Sequence, residues 1–181
     1  MKPSKSANSP AAAAAGSGTE PANPLCALIA QQPFFKGLNP RHFQILADLA
    51  MEREFKAGER IVREGDPANR FYIILEGQVD LRFESCEQGQ LPIQLLGPGD
   101  DLGWSWLFPP YYFHGTAQAV GLVKTIFFYG TRLRQHCEED HDLGYEIMKR
   151  IAQVAIRTLH ASRRSLERVS TKSRPAAGGR K

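Results

Sequence analysis

Large apolar side chains recur along this 181-residue chain in three different rhythms. From Leu25 to Ala50 the rhythm is helical. Leu25, Leu28 and Ile29 share one face, "QQPFFKGLNP" interrupts it, and Phe43, Leu46, Ala47 and Ala50 resume it on a single stripe. Asn39-Pro40 marks the second start, a capping side chain followed by proline in the first helical position. After Met51 the rhythm shortens. Turn signals at Ala57-Gly58, Gly65-Asp66-Pro67, Glu76-Gly77, Gly89 and Gly97-Pro98-Gly99 cut the chain into short extended pieces. Phe71–Leu75 and Val123–Phe128 read as buried strands. Short strands between regular turns predict an antiparallel sandwich or barrel across about 53–130. Helical spacing returns near Asp140: Leu143, Ile147, Ile151, Val154 and Thr158, then Leu159, Ser162, Leu166 and Val169. That stripe has a period of roughly 3.5 on a helix of about thirty residues, the pattern of a coiled-coil-like dimer helix. Packing along its own barrel is the competing reading.

The predicted fold is therefore mainly β with flanking helices, a cupin-like double-stranded β-roll (jelly roll) plus a long C-terminal helix. The expected organisation is a disordered tail over 1–24, the roll with its N-terminal helices over 25–139, the long dimerisation helix over 140–170, and a disordered basic tail over 171–181. Residues 1–24 are Ser, Ala, Pro, Gly and Asn with almost no large apolar side chain, too little to offset the entropy of ordering.

Composition adds little: charged residues are 23% and apolar ones 42%, ordinary for a globular protein. No apolar run reaches the ~20 residues of a membrane helix, so no membrane association is expected. Cys26, Cys86 and Cys137 are scattered and odd in number, which argues against a disulfide framework and for a reducing, cytoplasmic location. Charge is lopsided. From Arg157 onward eight basic residues stand against Glu167 alone, whereas 15 basic residues face 18 acidic ones in the rest. Such a tail implies weak, salt-sensitive attraction to polyanions; a purely solvating role is the blander alternative.

Candidate chemistry concentrates in "GDDLGWSWLFPPYYFHG". Trp104, Trp106, Phe108, Tyr111, Tyr112 and Phe113 crowd around Pro109-Pro110, and His114 follows. "FKAGERIVREGDPANRFYIILEGQVDL" and "LLGPGDDLG" resemble the cyclic-nucleotide-binding domain of Crp/Fnr-type regulators and kinase regulatory subunits. The resemblance rests on Phe55, Gly58, Ile61, Gly65, Asp66, Tyr72, Ile73, Gly77 and Val79. It implies a non-enzymatic signalling or sensing module and a phosphate-binding cassette at Gly103, Trp104, Ser105, His114, Gly115 and Thr116. The family places Glu on the ribose at position 104, Arg on the cyclic phosphate at 114, a hydroxyl residue at 115 and Ala at 116. This chain has Trp104, His114, Gly115 and Thr116 instead.

Ordinary cyclic AMP binding is therefore not expected. If Gly103–Trp106 opened a helix, its N–H groups would still favour an anion, so a nucleotide-like or other small anionic ligand is the cofactor class that remains. The alternative is an interaction module whose pocket the aromatics fill. A metal-dependent cupin enzyme is a remote alternative: it needs clustered ligands, and of the five histidines only His114 falls within the roll. The family's transcription factors continue into a helix-turn-helix domain. Here about ten residues follow the long helix, so no specific DNA binding is expected; the expected partners are a second copy through that helix and a protein of unknown identity.

Overall fold

A computed structural model describes residues 23–85 and 89–172; the N-terminal tail, Cys86 and the end of the basic tail lie outside them. Two helices come first. α1 spans Pro24–Gln31, where the Asn23 side chain accepts from the Leu25 amide. α2 spans Pro40–Leu49, capped in the same way by Asn39 on the Arg41 amide. A short 3₁₀ turn, Pro33–Phe35, lies between them.

Eight strands follow: β1 Ala50–Phe55, β2 Arg60–Val62, β3 Arg70–Glu76, β4 Val79–Ser85, β5 Gly89–Leu96, β6 Asp101–Leu102, β7 Thr116–Ala119 and β8 Val123–Tyr129. They form two four-stranded antiparallel sheets, ordered β1-β8-β3-β6 and β2-β7-β4-β5. The predicted β-roll is thus present, and the glycines at 58, 65, 77 and 99 that marked its turns take φ between 79° and 87°.

The central strand β3 explains why its sequence reads as continuous apolar. Tyr72 and Ile74 point into the roll with Phe55, Val79 and Phe127. Phe71 and Ile73 point outward into a second core, shared with Phe35, Leu46, Trp106 and the C-terminal helices. Phe71 faces Phe128 and Ile73 faces Ile126 across the β3–β8 ladder, so both faces of this sheet are covered.

After β8 the chain forms α3, Gly130–Glu139, and α4, His141–Lys172. α3 was not expected. Its ten residues, GTRLRQHCEE, include few apolar side chains; Leu133 is buried and Cys137 packs against the same core, too little signal for a periodicity. α4 has the predicted length, but the first half of its stripe is used within the chain. Leu143, Ile147, Ile151 and Val154 are buried in the core that backs β3 and β8. This is the competing reading of the stripe, and for these four residues it holds. Further on, the Ser165 hydroxyl donates to the Pro92 carbonyl of β5, laying α4 along the roll.

Candidate functional site

The segment after β6 is set by backbone geometry. Gly103 sits at φ 90°, and a Cβ there would lie 2.8 Å from the Arg70 carbonyl oxygen and 3.0 Å from the Phe113 ring. Left-handed backbone and lack of space both demand glycine. A 3₁₀ turn over Trp104–Leu107 follows. The helix expected to begin here is only this one four-residue turn, which offers an anion no α-helix N-terminus.

The aromatic crowd divides. Trp106 is wholly buried on the helical side, its ring 6.1 Å from Phe71, with its carbonyl held by Arg134 at 2.8 Å. Phe113 fills part of the roll interior. Phe108, Tyr111 and Tyr112 remain exposed. Tyr111 carries the Arg134 guanidinium 4.4 Å above its ring, and its carbonyl accepts from the Ala68 amide. Trp104 is half-buried, and its ring lies 5.6 Å from that of His114.

A cavity of about 480 Å³ remains where the resemblance puts the cassette. Gly103, Trp104, Ser105, His114 and Gly115 all line it. Thr116 does not. Its hydroxyl accepts from the Glu64 amide and donates to Glu84, each at 3.0 Å, on the β2–β4 side. Gly115 faces a tight wall: a Cβ would come 2.9 Å from the Arg82 carbonyl oxygen. The family's hydroxyl residue therefore has no room at 115 without movement of β4. Leu81, Phe83, Ile93 and Leu96 close the roll side, and Val154, Ala155, Thr158, Leu159 and Ser162 of α4 close the other.

Two charged residues in this wall escaped the sequence reading. Asp101 enters from β6 with its side chain only 5% exposed, and Arg157 of α4 meets its Oδ1 at 3.2 Å. Burial pushes the Asp101 carboxyl up from 3.8 to about 7; Arg157 pulls the other way, and neighbouring Asp100 adds to the rise. Its Oδ2 is buried without a partner. Asp100 instead turns back, accepting from the Gly97 amide at 2.8 Å. Asp100 ends the turn before β6 and Asp101 is the first residue of that strand, so the two adjacent acids part at this junction; the Asp-Asp pair is the one sequence signal at this point. Nothing in the sequence links position 101 to 157.

The model of the cyclic nucleotide-binding domain matches residues 52–140. The chain carries a cyclic nucleotide-binding domain. The domain is 28% identical to a solved structure assigned as a cyclic nucleotide-binding protein of Geobacter metallireducens, with a TM-score of 0.67 over 74% of this chain and 97% of that one. It is 22% identical over 131 residues to a CRP-like cAMP-activated global transcriptional regulator of Mycobacterium tuberculosis, covering 72% of this chain. A cAMP-bound triple mutant of the regulatory subunit of a cAMP-independent protein kinase A from Trypanosoma brucei matches at 25% identity and TM-score 0.61, over 79% of this chain and 49% of that one. The chain spans 58% of the mycobacterial regulator and 10% of an Arabidopsis thaliana cyclic nucleotide-gated ion channel. The mycobacterial relative is a transcriptional regulator and the trypanosomal one a kinase regulatory subunit. Among the described residues no helix is long and apolar enough to cross a membrane, and no three His, Cys, Asp or Glu side chains cluster as metal ligands would.

Proposed function

We propose that this cyclic nucleotide-binding domain is a non-enzymatic, cytoplasmic sensor whose modified cassette holds a small molecule other than cyclic AMP. One observation carries the reading: a 480 Å³ cavity lies at the cassette positions, while Trp104 and His114 occupy the places of the ribose-binding carboxylate and the phosphate-binding arginine. The alternative of a self-filled pocket is less well supported, because Trp106 turns away into the helical core and Trp104 stands in the wall. Known ligand sites typically have volumes of about 300–1,000 Å³.

The two missing contacts decide the affinity for cyclic nucleotides. A hydrogen bond to a charged group contributes about 1.5–3 kcal/mol, and loss of one partner of a buried charge costs about 2–5 kcal/mol. Together they would weaken a ligand of ~1 μM to ~1 mM or worse. Titration calorimetry tests this. Wild-type protein should show no micromolar binding of cyclic AMP or cyclic GMP, and Trp104→Glu with His114→Arg should gain measurable binding. Micromolar binding by the wild type would overturn the reading.

Output in this proposal passes through α4 to a second copy of the chain. Tyr145, Met148, Leu159 and Leu166 are all more than half exposed and, with Ala152, Ala155 and Ser162, repeat at alternating steps of three and four. That is a coiled-coil seam, roughly a third of a turn away from the face spent on the core. Ala155, Leu159 and Ser162 also line the cavity, so a partner helix on this seam would lie against its α4 wall. A downstream protein partner would read that arrangement.

A further inference from the structure

A cavity built for a cyclic phosphate needs a desolvated cation. Among the described residues lining this one, the two basic side chains are Arg157, 67% exposed, and His114, also exposed. The charged group in its wall that is buried is an acid. Asp101 is more than nine-tenths buried, and its Oδ2 has no partner. A buried carboxylate in this position repels a phosphate and leaves an acceptor unsatisfied, a cost that a donor group would remove. Its resident partner is already a cation, the guanidinium of Arg157, reaching in from α4 at 3.2 Å. Phe83, Phe113 and Trp104 give the same cavity aromatic walls, which attract organic cations through their ring faces.

We propose that the cavity selects an organic cation, an amine or amidine on an apolar or aromatic body, whose N–H group takes the place of Arg157 on the Asp101 carboxylate. This rests on the reading of the cavity as a ligand site and reverses the ligand charge that the cassette resemblance suggested. It also gives α4 a part in sensing: a ligand that takes Asp101 releases Arg157, a contact between α4 and the roll.

The surroundings of Asp101 set the pH dependence. Arg157 faces it from α4 and Asp100 from the preceding turn; His114 shares the cavity. On its other side a second hollow, which Asp101 and Arg157 also line, holds Lys36, Glu146, Lys149 and Arg150, where Glu146 is already paired to Lys149 and Arg150. Cation binding needs the ionised carboxyl, so affinity should fall as pH drops from 8 to 6. His114 lines the same cavity, so the profile is also recorded in His114→Gln.

The test is thermal shift and calorimetry on the full chain at pH 8, with phenethylamine and benzamidine as cations and phenylacetate and cyclic AMP as anions. The cations should stabilise the wild type and the anions should not. Asp101→Asn should lose at least about tenfold in cation affinity, the scale of one charge-assisted contact. Arg157→Ala, read at pH 9 so that the carboxyl stays ionised without the guanidinium that lowers it, should bind the cations several-fold more tightly, because a tethered competitor is gone; for an anionic ligand the same change would weaken binding. If Asp101→Asn fails to fold, Arg157→Ala and the pH profile still decide. Binding of phenylacetate without the amines, or weaker amine binding in Arg157→Ala, overturns this inference and leaves the cavity reading standing. No shift with any of the four probes overturns this inference, and wild-type calorimetry with cyclic AMP then judges the modified cassette by itself.

Discussion

Asp101 concentrates the physics of the site in one side chain. Its carboxyl is raised to about 7 by burial, against an ordinary 3.8. The sign of the effect on stability follows. Between those values the folded protein keeps a proton that the unfolded chain has lost, so folding stability falls as pH rises through the window and levels off above about 7. The slope reaches about 1.4 kcal/mol per pH unit. Asp101→Asn should remove it, so denaturant midpoints of wild type and variant should diverge from pH 5 to 7.5; parallel curves would show an ordinary carboxylate. Position 101 and position 157 are separated by 56 residues, and although Asp101 lies within "LLGPGDDLG" no motif joins it to Arg157, which is why the sequence did not reveal the pair. The cassette positions were legible because the family pattern fixes their spacing, and five of the six meet at the cavity. Thr116 belongs to another network since β7 turns its hydroxyl toward Glu64 and Glu84.

At the scale of elements, the roll was readable and the helices only partly so. Glycines needing left-handed backbone punctuate the strands, and β3 and β8 are apolar on both sides because both faces are covered. α3 left almost no pattern. α4 was read as one seam but has two faces, and the two make different predictions. Ile151 is fully buried against the domain's own core. Ile151→Asp should therefore unfold the domain, at a cost of several kcal/mol for an unpaired buried charge, and not merely yield monomers. Leu159 is 66% exposed. Leu159→Asp should leave the thermal midpoint within a few degrees of wild type while abolishing the dimer in light scattering. A wild-type protein monomeric at tens of micromolar would contradict the proposed dimer.

For the molecule as a whole, one β-roll with helices packed on its outer sheet presents a cavity whose remaining side is a helix that also carries an exposed seam. Fold and family were legible because turns and core alternation repeat many times along the chain. Ligand chemistry was not, because it depends on which single charges burial selects. The central claim is that the modified cassette remains a ligand site with its preference changed. An amide-resolved NMR titration of the wild-type chain with phenethylamine and, separately, cyclic AMP tests it most directly. The account predicts that phenethylamine shifts the amides of Asp101, Gly103, Ser105, Gly115 and Arg157, while cyclic AMP at the same concentration leaves them in place. Saturating shifts at Gly103, Ser105 and Gly115 with micromolar cyclic AMP would contradict it.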